Sequence, residues 1–144
     1  MKKLVILLSA LALCSCIKPT QESSGIRTVR LTNVSGYTLA FTNIDNGGDG
    51  RLWPESSFTL QPGEYYLKQI WDYDKKTSAT IAPLAMDIEF DGQVIHLSRE
   101  TGFSDNPCLL DHWCKIDNFT THGPGIHYEF TVTDSVLAGW KGKE

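Results

Sequence analysis

Histidines, carboxylates and two late cysteines are the side chains through which this 144-residue chain could do chemistry. Cys108 and Cys114 stand with five residues between them. That is not the C-x-x-C spacing of a redox pair, and the other two cysteines, Cys14 and Cys16, lie in the amino-terminal segment, leaving no second pair in the domain for a structural zinc site. His122 and His127 flank Gly123-Pro124-Gly125, a segment able to bring them together, with His112 as a third ligand. Scattered surface histidines are the commoner arrangement, so no metal and no other cofactor is expected. His96 lies opposite the apolar face of its strand, which places it in solvent. Among the carboxylates Asp72, Asp74, Asp87 and Glu89, the last two share one strand face. An acidic wet face is the ordinary explanation for that pairing.

The stretch Asp45-Asn46-Gly47-Gly48-Asp49-Gly50 follows the first half of a calcium loop. Gly47 stands where a third-position ligand is needed, and Ser56 replaces the bidentate glutamate at position twelve. A plain strand connection is the better reading. No nucleophile elbow, phosphate-binding glycine loop or zinc-protease motif occurs, so the chain is expected to be a non-enzyme. Binding is the remaining possibility. Trp53, Trp71, Tyr73 and Trp113 fall near strand ends and loops, where flat rings with polar edges could form a platform for sugar or peptide. Tryptophans plugging the ends of a sandwich would read the same way.

The elements that must position these residues are strands. Val29 and Leu31 alternate with polar neighbours, and 33–36 offers a turn toward Tyr37, Leu39 and Phe41. Phe58 and Leu60 precede Gln61-Pro62-Gly63-Glu64, a turn sequence, with Tyr65 and Leu67 after it. Leu84, Met86, Ile88 and Phe90 alternate up to Asp91-Gly92, among the strongest hairpin signals. Tyr128, Phe130 and Val132 share a face of the last strand, after which Asp134 is placed to cap a final helical turn through Leu137. Period-two patterning with no long helical stretch predicts an all-β fold: an antiparallel two-sheet β-sandwich, Ig-like, of about seven strands. A partly closed β-barrel is the alternative.

The amino terminus reads as a secretory signal: Lys2 and Lys3, an apolar run over 4–13, then small residues. Leu13-Cys14-Ser15-Cys16 resembles the lipobox of bacterial lipoproteins. The resemblance implies cleavage after 1–15 and acyl chains on Cys16, which would hold the protein on a membrane. Residues 16–25 form a polar tether and 26–144 a single domain. Without Lys2 and Lys3, 11 of the 13 basic residues face 17 acidic ones, a formal charge of −6. Such a surface excludes nucleic acid as a partner. Export also predicts a Cys108–Cys114 disulfide, worth about 2 kcal/mol.

The order of lipobox, tether, TNVSGYTL hairpin, FTLQPGE turn, MDIEFDGQVIHL hairpin, late cysteine loop and HYEFTVTDS strand is similar to small lipoproteins of Gram-negative gut bacteria. That likeness implies a cell-envelope sandwich and supplies no catalytic residues. LTNVSGYTL followed by WPESSFTLQPGE also resembles the opening of aegerolysin-like lipid-binding sandwiches. Two functions are therefore expected. One is an adhesion or glycan-binding module; the other is an accessory subunit docked on an envelope protein. An outer-membrane anchor facing the periplasm is favoured, with surface display as the alternative.

Overall fold

The computed structural model describes residues 25–72, 80–120 and 123–142. They form a sandwich of two four-stranded sheets. Strands β1 (Gly25–Asn33), β4 (Tyr65–Asp72), β7 (Cys114–Thr120) and β8 (Gly123–Val132) make the first sheet, in the order β4-β1-β8-β7. Strands β2 (Leu39–Asp45), β3 (Phe58–Leu60), β5 (Ala85–Phe90) and β6 (Gln93–Ser98) make the second, in the order β3-β2-β5-β6. The sheets do not close into a barrel. Helix α1 (Asp134–Lys141) packs across one end of the sandwich, and a 3-10 turn covers Leu110–His112. No helix among the described residues is long and apolar enough to cross a membrane.

Alternation puts Val29, Leu31, Phe130 and Val132 of the first sheet against Leu39, Phe41, Met86, Ile88, Ile95 and Leu97 of the second, all buried. The Asp91-Gly92 hairpin joins β5 to β6 as its chemistry requires. Both turn residues have positive φ, 52° and 70°, the signature of the type I′ turn that matches strand twist.

Two other turns carry the chain between sheets rather than back along one. The segment 33–36 leads from β1 to β2, and 61–64 leads from β3 to β4, so neither closes a hairpin. The second is still a tight turn, with the Glu64 amide donating to Gln61 O at 3.0 Å and Gly63 at φ 87°. All pairings are antiparallel except β1 with β8, which run parallel from Ile26 opposite Gly125 to Asn33 opposite Val132.

The helix also starts one residue earlier than its expected cap. Thr133 Oγ1 accepts from the Val136 amide at 3.1 Å, while Asp134 is turned to the Gly36 amide at 2.9 Å. The helix runs on beyond Leu137 because Trp140 gives it a second buried anchor.

Where β1 ends, Asn33 is wholly buried and fully bonded. Its Nδ2 donates to Tyr37 O at 2.8 Å and Leu60 O at 3.0 Å, while its Oδ1 accepts from the Ser35 amide and hydroxyl. Its backbone amide and carbonyl meet Glu64 O and the Gly63 amide. Removing such a group strands several buried partners at once. Asn33→Ala is expected to cost about 3 kcal/mol in urea unfolding, against under about 0.5 kcal/mol for Val94→Ala on the exposed face.

Candidate functional site

The expected aromatic platform is dispersed by the fold. Trp53 and Trp113 are core residues. The Trp53 ring stacks on Tyr66 at 5.0 Å and meets Trp113 edge-on at 6.1 Å, and Trp113 continues to Phe130 at 5.6 Å. Their indole N–H groups donate to Ile81 O and Pro107 O, each at 2.8 Å, so ring and polar edge are both spent internally. Trp140 is likewise buried and donates to Asp105 O. Trp71 is different: it is 44% exposed on β4. Tyr73 lies outside the described residues, as do Asp74, His122, the lipobox and Cys16.

Trp71 has company that alternation alone misassigns. Tyr65 and Leu67 read as core positions, yet Tyr66 and Ile70 are the residues of β4 that pack inward. Tyr65 and Leu67 are 50% and 47% exposed and share the outer face of β4 with Gln69 and Trp71. The signal was ambiguous because Tyr65-Tyr66 offers an aromatic ring to either face. Beside this stripe the Arg30 guanidinium lies 4.4 Å from the Tyr65 ring centre, and Arg30 Nη1 is 3.9 Å from Glu129. Glu129 also meets His127 Nε2 at 2.8 Å, and Ile116 is partly exposed on β7, at the far edge of the sheet. The outer face of the first sheet is thus a polar centre with an apolar margin along β4.

A cleft of about 520 Å³ opens at the end of the sandwich, lined by Gly36, Tyr37, Phe90, Asp134, Leu137, Ala138 and Lys141. Tyr37 meets Phe90 edge-to-face at 5.8 Å. Lys141 Nζ sits 5.1 Å from the Phe90 ring centre, 5.6 Å from that of Tyr37 and 2.9 Å from Asp91 Oδ2. The hydrogen bond to Asp91 raises the Lys141 ammonium above its ordinary value. No sequence motif marks this site, because its walls come from three separate segments.

The remaining candidates have ordinary employments. His112 Nδ1 accepts from the Asn106 amide at 2.9 Å and His127 pairs with Glu129, so these two histidines serve different neighbours. Among the described residues no three His, Cys, Asp or Glu side chains group closely enough to hold a metal. Asp87 and Glu89 lie on the outer face of the second sheet. A bulge in β2 aims Asn43 at Asp87, and that hydrogen bond, with His96 Nδ1 at 2.6 Å, lowers the Asp87 carboxyl.

The glycine-rich loop is closed on itself. Asp45 and Asn46 accept from the Gly47 and Gly48 amides, and Asp49 grips Arg51 through Nε and Nη2, both at 3.0 Å. The Arg51 bond is the main reason the Asp49 carboxyl falls to about 2 from its ordinary 3.8. A depressed carboxylate contributes stability above its unfolded value and loses it as pH falls through the folded one. Asp49→Asn should therefore flatten the acid limb of unfolding between about pH 4 and pH 2 and leave the slope above about pH 5 unchanged.

The cysteines correct the expected disulfide: Cys108 and Cys114 are two free thiols. Cys108 is buried, its Sγ 3.6 Å from Leu97 O, whereas Cys114 opens β7 in solvent, with buried Trp113 just before it. Burial pushes the Cys108 thiol up to about 12. The staple expected from sulfur is made by an amide instead. Buried Asn106 donates to Ser98 O and Thr101 O and accepts from the Cys108 amide at 2.9 Å. At pH 8 iodoacetamide should label Cys114 in the folded protein and Cys108 only after unfolding, as read by peptide mass mapping.

No protein-family model matches this chain, and no curated protein matches it. Its function must be argued from its own surface.

Proposed function

We propose that this chain is a lipid-anchored, non-catalytic cell-envelope protein that docks on a second envelope protein through the outer face of β4. The observation that carries this reading is the stripe Tyr65, Leu67 and Trp71, three large apolar side chains in solvent on one face of an edge strand. Gln69 stands between Leu67 and Trp71, but large apolar side chains grouped on one exposed strand face still mark an interaction surface. Aromatic residues at the centre of a patch are also the usual energetic anchors of protein interfaces. The competing glycan platform loses two of its four rings, since Trp53 and Trp113 are spent on the core.

The face of β4, rather than its backbone edge, is the contact. Lys68 stands in the middle of β4 and is tied to Glu55 at 2.7 Å. A charge in that position guards an edge against strand addition. The anchor part of the reading rests on the lipobox. The nine residues 17–25 reach at most about 30 Å, so acyl chains on Cys16 would keep the sandwich close to the bilayer, on its periplasmic side.

A photo-crosslinking amino acid at position 67 should yield one discrete protein adduct in whole envelopes, and the same probe at position 94 should not. Trp71→Ala should lower that adduct about tenfold or more. Labelled palmitate should enter the wild-type protein and not Cys16→Ser. No adduct from position 67, or the same adduct from position 94, would remove the docking reading while leaving the anchor to be judged by the palmitate label.

A further inference from the structure

The cleft beside α1 is independent of the β4 face, and its walls have a specific chemistry. Asp134 sits in the first turn of α1 and binds the Gly36 amide, pinning the β1–β2 connection to the helix and setting the width of the opening. Leu137 and Trp140 anchor the helix from below, so Ala138 and Lys141 form one wall against Tyr37 and Phe90. Asp91 is held at the rim by the type I′ turn. The site therefore offers two aromatic rings and the Asp91 carboxylate to one ammonium, that of Lys141, with Asp134 on the cleft wall.

This is the environment that attracts an organic cation. Ring faces carry the negative lobe of the aromatic quadrupole, and a carboxylate alongside adds to the pull. An anionic ligand would meet Asp91 and Asp134 together and be disfavoured. The resident Lys141 ammonium shows that the geometry accepts a cation, yet it fills only one side of a cleft of about 520 Å³. Its bond to Asp91 is exposed and screened by solvent, so it is exchangeable.

We propose that this cleft binds a small alkylammonium ligand, a primary or quaternary amine, which displaces Lys141 from the Tyr37–Phe90 pair. Lys141 acts as an intramolecular competitor, lowering apparent affinity by the fraction of time it occupies the rings. The cleft lies at the end of β1 away from Gly25, about 30 Å along the strand, so it faces away from the start of the domain. A soluble amine can reach it there more readily than a head group of the anchoring membrane.

Titration of choline and of butylammonium into the protein, followed by amide NMR, tests this. Both should shift the Gly36, Tyr37 and Ala138 amides, while butyrate and sodium chloride should not. Phosphocholine should bind more weakly than choline, because its phosphate meets two carboxylates; tighter binding of phosphocholine would overturn the free-amine assignment. Lys141→Gln should tighten choline binding at least about fivefold by removing the competitor. Adding Tyr37→Ala to that variant should abolish the gain. Asp91→Asn is the folding-safe control, since Asn-Gly keeps the type I′ turn while deleting the carboxylate, and it should weaken choline severalfold. Unchanged affinity in Lys141→Gln, or in Asp91→Asn, would overturn the proposal.

Discussion

One buried amide holds the two sheets in relation. Asn33 ends β1, and every donor and acceptor it has is used: on the turn that follows it, on the end of β3 in the opposite sheet, and on the turn into β4. Sheet packing by apolar side chains is permissive about small slides and rotations. A hydrogen-bonded amide with no water to fall back on is not. The crossing of the chain from one sheet to the other, and the position of Tyr37 beyond it, both follow from satisfying this residue.

A second amide plays the same part at the other connection. Between β6 and β7 the chain makes a long excursion, and Asn106 gathers it by bonding Ser98, Thr101 and the Cys108 amide. The tryptophans complete the arrangement. Trp53, Trp113 and Trp140 each place a ring in the core and an N–H on a loop carbonyl, so each secures a loop that would otherwise be held only at its ends. The sandwich is thus fastened by side-chain bonds to loop backbone rather than by sulfur.

Much of this was legible where local chemistry decides the outcome. Asp91-Gly92 had to turn with both φ values positive, and the alternation of Met86, Ile88 and Phe90 had to face the core. Legibility failed where distant partners decide. Gln61-Pro62-Gly63-Glu64 announces a turn, but nothing in it says whether the next strand joins the same sheet. Tyr65-Tyr66 can present either ring inward, and the choice is made by the stacking of Tyr66 on Trp53 and Phe58. The same rings that looked like a binding platform served equally well as core, because a tryptophan's preference for apolar surroundings with one polar contact is met in both places. The cleft at Tyr37 was invisible since its walls meet only after folding.

The parallel pairing of β1 with β8 has a consequence for how this domain comes into being. The first described strand occupies an interior position, and Ile26 must wait for Gly125 before its second neighbour exists. The other sheet joins two pairs of consecutive strands through the pairing of β2 with β5, but this one stays open until β8 has been made. Contacts so far apart along the chain are slow to form. A polypeptide shortened before its final strand would lack a middle rail, leaving β7 without any partner. Completion of this sheet therefore joins the most distant of the described strands, so its stability is tied to contacts spanning nearly the whole described domain.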